Sequence, residues 1–438
     1  MDSISPPKGS TSIKLIFILF GVASLLGCNA LLTELSFFAH FLPSMNPYVS
    51  IPFLNYFLNI IFQFLLFCKK DLFPLKCQLI GGVVGSIVFL IVIPLFTVIL
   101  EKDSSINSIV TGTLIVLMGF INALCNGGFY KLVSFFPMEM IVNLTTGQGF
   151  SGITMALIQY IVLFSIKSND IDDKPIIIQG LIFFVSSIVI LLISLIILLL
   201  SYNKDYFQYY LNKKDDSSEG QNGLDLYKGQ KMEDEEQKTE EDGQINPVEE
   251  KPQTSQNVEL TFVELFKKVW SFDLLVLFNY ICTFTLYPNA SISQQLFSLD
   301  TAFNANTIIM IYNIFDTLGR MLVSKMKPTK QLNMIIILAR SVLLFTIIFN
   351  FYCQEKYILS LTVTSVLLII NVALLASTNG IATTLCFGLA PNEVENEYKG
   401  QVGSSVSFFL MLGIVLGSCS AFGVDAIINT FRRQKVTA

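Results

Sequence analysis

Residues 175–201 read PIIIQGLIFFVSSIVILLISLIILLLS, 27 positions without one Asp, Glu, Lys or Arg. At 1.5 Å per residue a helix of that length is about 40 Å long, more than the roughly 30 Å hydrocarbon core of a bilayer. The run is continuous rather than alternating, so it reads as a helix and not as a barrel strand. A lone helix satisfies its own backbone N–H and C=O groups where no water is available. Outward from this stretch the same pattern recurs. Five runs precede it, at 13–38, 50–68, 77–100, 108–130 and 143–166, and five follow, near 270–288, 304–324, 330–352, 358–386 and 401–428. The expectation is an all-α polytopic membrane protein of about 11 transmembrane helices. The first run follows Lys14 and is too long for a signal-peptide core, so it is read as a retained helix.

Composition agrees. A 438-residue chain that is 53% hydrophobic and only 14% charged has too much apolar surface for one soluble core. The net charge of −5 describes one stretch: Lys204 to Leu260 is polar and carries the run Glu233-Asp234-Glu235-Glu236. It reads as a disordered acidic cytoplasmic linker at 202–262, dividing an N-terminal bundle of six helices (1–201) from a C-terminal bundle of five (263–438). Eight cysteines stand singly with no CxxC, and His40 is the one histidine, which excludes a disulfide framework and a zinc site. No GxxxxGK[ST] phosphate loop is present, and one histidine argues against a membrane-embedded hydrolase or transferase, so no enzyme and no cofactor is expected. Nor is a nucleic-acid or obligate protein partner.

Lys69, Lys70, Lys76, Lys131, Lys325, Lys327, Lys330 and Lys399 fall on one side of the membrane if the N-terminus is cytoplasmic, with Lys102, Lys167, Lys174 and Lys356 on the other. That is the positive-inside bias. With eleven spans, the tail Arg432, Arg433 and Lys435 lies outside, against the rule.

Charges within apolar runs are costly and carry the most information. Asp316 and Arg320 share the eighth run, and four residues turn a helix by about 400°, placing them on one face a turn apart. A guanidinium offers five donors and a carboxylate several acceptor sites, together a match for the adjacent hydroxyls of a sugar. The plainer reading is that they neutralise each other or lock two helices. Arg340, in the ninth run, reads equally as a structural or snorkelling Arg. Glu34 is a candidate proton-coupling carboxylate or a solvated helix end, and His40 a solvated interfacial residue. Trp270 reads as an interfacial anchor. Glycines at 81, 82 and 85, at 147, 149 and 152, and at 413 and 417 signal close helix packing.

Taken together, these motifs resemble the equilibrative nucleoside transporter family. Leu25-Leu26-Gly27-Cys28-Asn29 is similar to the family's Leu-Leu-Pro-Trp-Asn. Asn126-Gly127 falls where the family has Gln-Gly, and Gly147-Gln148-Gly149 matches its Gly-Gln-Gly. Asn313-Ile314-Phe315-Asp316-Thr317-Leu318-Gly319-Arg320 is similar to Asn-Ile-Phe-Asp-Trp-Leu-Gly-Arg. Ala339-Arg340, Asn379-Gly380, Phe408, Gly413 and Gly417 agree as well. The resemblance implies a major-facilitator-like 6+5 two-bundle arrangement, a cytoplasmic central loop and an outward C-terminus, which accounts for the basic tail. It implies facilitative, alternating-access transport of nucleosides, with nucleobases as further substrates, in the plasma membrane. Asp316 and Arg320 inherit contacts to the ribose. Cys28 and Asn126 stand where the family's Trp and Gln line the nucleobase side, so the large aromatic face is missing there; Asn29 completes the substrate-binding set. Arg340 and Glu34 are supporting or coupling residues. The alternatives are a proton-coupled nucleoside or nucleobase transporter and a major-facilitator carrier of another small polar solute.

Overall fold

The computed structural model describes residues 11–69, 72–166, 173–211, 262–299 and 301–436. The expected linker at 202–262 lies outside these residues except for its first ten and its last. Among the described residues eleven long helices are present: α1 (Thr11–Thr33), α2 (Pro47–Cys68), α3 (Leu75–Ile99), α4 (Ser105–Val133), α5 (Met138–Ser165), α6 (Asp173–Tyr202), α7 (Phe262–Leu286), α8 (Thr301–Leu322), α9 (Lys330–Glu355), α10 (Leu361–Leu389) and α11 (Lys399–Val436). Ten of them are long and apolar enough to cross a membrane. The one that is not is α8: its 22 residues, about 33 Å of helix, include Asn304, Asn306, Asn313, Asp316 and Arg320.

Helix starts follow their capping chemistry. Ser104, Thr329 and Ser360 each accept a hydrogen bond from the backbone N–H three residues on, opening α4, α9 and α10. α7 begins before the expected 270 and α11 runs past the expected 428, and two of the expected runs are broken. The first run does not continue to 38: α1 stops at Thr33 and Leu35–Phe41 forms a separate short helix with Glu34 between. The ninth is interrupted, with Lys330–Ala339 and Val342–Glu355 meeting at Arg340 and Ser341.

In chain order, the helices of residues 11–202 make up a first set and those of 262–436 a second. Within residues 11–202, α1 lies along α5, and α4 along both α2 and α3; within 262–436, α7 lies along α11 and α8 along α10. The sets meet chiefly where α5 lies against α8 and α2 against α11, with α4 also touching α11 and α5 touching α10. Glycine makes the α8 contacts close. A Cβ on Gly149 or Gly152 of α5 would strike the side chains of Thr317 or Asn313, and one on Gly380 of α10 would strike the carbonyl oxygen of Asp316. α8 is therefore held between α5 and α10 with its polar face inward. Gly413 and Gly417 likewise meet the α7 backbone, whereas Gly81 faces open space and makes none of the expected close packing.

The periphery is apolar. Phe345, Phe164, Leu200 and Ile109 are all more than two-thirds exposed, a pattern that suits lipid as the surrounding solvent and would be an aggregation hazard in water. This is an integral membrane protein. Trp270 is half exposed on α7.

Candidate functional site

Asp316 and Arg320 are each about 5% exposed, in the middle of the packed sets. Arg320 Nε donates to Asp316 Oδ2 at 2.7 Å, the pairing expected from their spacing. Neither charge rests on the other alone. Asp316 Oδ1 accepts from Asn379 Nδ2 of α10 at 2.8 Å, and Arg320 Nη1 donates to Thr145 O (3.1 Å) and Gln148 Oε1 (3.2 Å) of α5. These extra bonds matter because taking two ions out of water costs several kcal/mol each, and only good geometry with satisfied hydrogen bonds offsets that. The pair thus spans the α5–α8 seam and the α8–α10 contact at once.

Gln148 is the junction on the α5 side. Its Oε1 also accepts from Tyr130 OH at 2.6 Å, while its Nε2 donates to Ser24 Oγ and to Asn126 Oδ1, both at 3.1 Å. Every donor and acceptor of the amide has a partner, which fixes its orientation. Asn379 has the same role on the α10 side: its Oδ1 accepts from Asn279 Nδ2 at 3.0 Å and lies 3.0 Å from the Thr283 hydroxyl. Thr283 Oγ1 in turn accepts from Arg340 Nη2 at 2.8 Å. Arg340, 2% exposed, also donates to Leu375 O and Asn279 O, so it is a bundle-facing residue and does not snorkel. Polar groups from α1, α4, α5, α7, α8, α9 and α10 form one connected network.

The expected site residues divide. Asp316, Arg320 and Asn126 are brought together, with Arg340 two bridging side chains away. Cys28 is not among them: its thiol lies 3.8 Å from Tyr56 OH and accepts from Asn55 Nδ2 at 3.3 Å, and Asn55 Oδ1 accepts from Asn122 Nδ2. Cys28 lies one turn beyond Ser24 on the same face of α1, so the stripe that feeds the network has already passed it. Asn29 points to α5, donating to Ser151 Oγ at 3.0 Å. Glu34 is 2% exposed rather than solvated, standing where α1 ends and the helix Leu35–Phe41 begins; no hydrogen-bond partner reaches its Oε1. His40 is not simply solvated either, being tied to Asp173 (2.5 Å) and Lys102 (2.8 Å). Sequence reasoning missed Ser24, Tyr130 and Thr145 as network members and noted Gln148 and Asn379 only as parts of motifs.

Two cavities are described. One of about 220 Å³ is lined by Ser134, Met138, Ile141, Gly388, Asn392 and their neighbours, including Tyr210; the other, about 310 Å³ and apolar, lies between α1 and Ile197. Asp316 and Arg320 line neither. Tyr130 of α4 and Phe387 of α10 stack with centroids 3.6 Å apart and planes 4° from parallel.

The comparisons with known proteins decide the family. The family described as Nucleoside transporter matches residues 112–426, well over half of the sequence and inclusive of the whole α8 motif. The chain belongs to the nucleoside transporter family. Among curated relatives of this family member, human equilibrative nucleoside transporter 1 is 21% identical over 359 residues, covering 79% of this chain and 76% of the human protein. Equilibrative nucleotide transporter 1 of Arabidopsis thaliana is 22% identical over 444 residues, 96% of this chain and 89% of the plant protein. These relatives are transporters and not enzymes. Solved structures of major-facilitator carriers share the fold: a double-tryptophan variant of XylE (TM-score 0.60, 13% identity, 96% of this chain and 95% of that one) and the E. coli fucose:proton symporter FucP (TM-score 0.54, 13% identity, 97% and 99%). The protein is therefore a membrane transporter with a major-facilitator-like fold.

Proposed function

We propose that this protein is a facilitative carrier of nucleosides, working by alternating access, with nucleobases as further substrates. The observation that carries the reading is the buried pair Asp316–Arg320, bonded to α5 on one side and to α10 on the other. A substrate hydroxyl inserted there exchanges one set of charge-assisted hydrogen bonds for another, so binding and the parting of the two helix sets are coupled by the same groups. Residues 1–201 and 263–438 act as the two rocking bundles, with α8 counted among the spans although it is the least apolar: its polar face is buried against α5 and α10 and need not meet lipid. The N-terminus and the 202–262 linker are cytoplasmic, the C-terminus extracellular and the membrane the plasma membrane, as the lysine distribution and the family resemblance suggest. Asp316, Arg320 and Asn126 contact substrate, with Cys28 and Asn29 the remaining members of the expected substrate-binding set.

The test is initial-rate uptake of labelled adenosine, uridine and hypoxanthine into cells that lack their own carriers. Saturable uptake accelerated by substrate on the opposite side is expected, lost in Asp316→Asn. Uptake of a sugar or amino acid in place of ribosides would overturn the reading, as would normal transport by Asp316→Asn.

A proton-coupled cycle is the second reading, favoured by Glu34, a buried carboxyl whose Oε1 meets no hydrogen-bond partner among the described residues. Uptake compared across external pH in the natural protein and Glu34→Gln separates the two: pH-dependent uptake that the substitution flattens supports coupling, and pH-independent uptake in both supports the facilitative cycle.

A further inference from the structure

The 220 Å³ cavity and the buried ion pair are separated by one helical turn. Ser134, Ile141 and Gly388 line the cavity. Four residues deeper on the same helices stand Tyr130, Thr145 and Thr384, and Thr145 O already accepts from Arg320. The partition between cavity and pair thus consists of the Thr384–Thr145 hydroxyl bond (3.1 Å) and the stacked rings of Tyr130 and Phe387. Both rings are nearly inaccessible, 2% and 3% exposed. One belongs to α4 and the other to α10, so they lie on opposite sides of the division between the helix sets. The rings must part whenever the sets separate here.

We infer that the Tyr130–Phe387 pair is the nucleobase-binding element, the two rings separating to take a planar heteroaromatic base between them. The inference rests on the nucleoside reading above and adds the base-holding groups to it. Parallel rings at 3.6 Å are one stacking distance apart; a base requires about 7 Å, two such distances, so each ring shifts by only about 2 Å. In the closed state each ring covers the face the base would otherwise cover, which keeps an apolar surface from facing an empty site. Position supports the same assignment. Gln148 Oε1 accepts from both Tyr130 OH and Arg320 Nη1, so a base stacked on Tyr130 places its sugar beside Asp316 and Arg320. Asn126, one turn from Tyr130 on α4 and bonded to Gln148, supplies an amide near the base edge. Cys28, which holds the position of the family's Trp, has no ring and is bonded into a different cluster. The aromatic face absent there is present at Tyr130 and Phe387.

The experiment measures half-saturation for adenosine in cells expressing the full chain, together with inhibition by two part-substrates, adenine and methyl β-D-ribofuranoside. Phe387→Leu is expected to raise the adenosine half-saturation about tenfold, the effect of losing one base–aromatic stack. It should weaken adenine to a similar degree and leave the riboside unchanged; Phe387→Trp should restore both. Phe387→Met, which keeps bulk without a ring, is read in its place if the leucine variant does not reach the membrane. Unchanged half-saturation with only the maximal rate altered would overturn the inference, reducing the rings to a gate. So would equal weakening of adenine and the riboside, which marks a general packing defect. If the natural protein transports neither adenosine nor adenine, the nucleoside reading itself fails; if it does and Asp316→Asn abolishes it while Phe387→Leu binds adenosine normally, only the present inference fails.

Discussion

Gln148 Oε1 lies 3.2 Å from Arg320 Nη1, a bond that, with the one from the same nitrogen to Thr145 O, ties α5 of the first helix set to α8 of the second. An amide so placed accepts from a cation and a phenol together while donating to Ser24 and Asn126. Parting this junction alone does not leave Arg320 unpaired, because its bond to Asp316 lies within α8.

Gln148→Leu is expected to lower uptake at least tenfold. It removes every bond to Ser24, Asn126, Tyr130 and Arg320 while keeping most of the volume, and each buried partner left unsatisfied costs about 1–3 kcal/mol. Gln148→Glu should differ in kind: a carboxylate beside Arg320 tightens the α5–α8 seam, so the maximal rate should fall more than the half-saturation rises. Initial-rate uptake, normalised to the amount of protein in the membrane, checks both; normal kinetics in Gln148→Leu would show the seam to be irrelevant to transport.

Arg320→Lys keeps the charge and loses the fork. The guanidinium reaches Asp316 from Nε and both Thr145 and Gln148 from Nη1, and a single ammonium cannot hold all three in that geometry. Uptake should fall about tenfold or more, the loss of one or two charge-assisted bonds at roughly 1.5–3 kcal/mol each. Wild-type uptake by this variant, with normal amounts at the membrane, would mean that charge alone suffices.

How much of this was legible in sequence follows from the chemistry of each residue. Asp316 and Arg320 stand out because ions are rare in apolar runs and their spacing stacks them on one helix face. Gln148 and Asn379 do not, since a neutral amide in such a run is common and its partners lie 172 and 63 residues away in sequence. Glu34 misled because hydropathy continues smoothly through a backbone break: Leu35, Phe37 and Phe38 extend the apolar run while the chain begins a new helix. The family resemblance correctly gave a membrane transporter and its helical fold, but placed Cys28 with Asn126, whereas the α1 stripe reaches Asn126's network at Ser24.

Arg340 should behave as a positioning residue. It sits at the interruption of α9 and holds Thr283, Asn279 and Leu375, with the side chains of Thr283 and Asn379 bridging it to Asp316. Arg340→Leu strips three acceptors of their donor, so the detergent-solubilised protein should melt several degrees lower, as expected for a loss of a few kcal/mol. Thr283→Val, isosteric and without the hydroxyl, isolates the link to Asn379 and should raise the half-saturation for ribosides more than for free bases. If both substitutions change melting alone, Arg340 serves packing and not the orientation of Asp316.

Gly380→Ala tests whether the site depends on helix proximity. A Cβ at 380 would collide with the backbone carbonyl of Asp316, which cannot rotate away as a side chain would. In an exposed helix the same change favours the helix by about 1 kcal/mol. Here the clash forces α10 off α8 and lengthens the 2.8 Å bond from Asn379 to Asp316, so lower thermal stability and reduced uptake should appear together. A more stable protein with unchanged uptake would show that α8 and α10 have room to spare, and that the close approach of these two helices does not set the geometry of the Asp316 carboxylate.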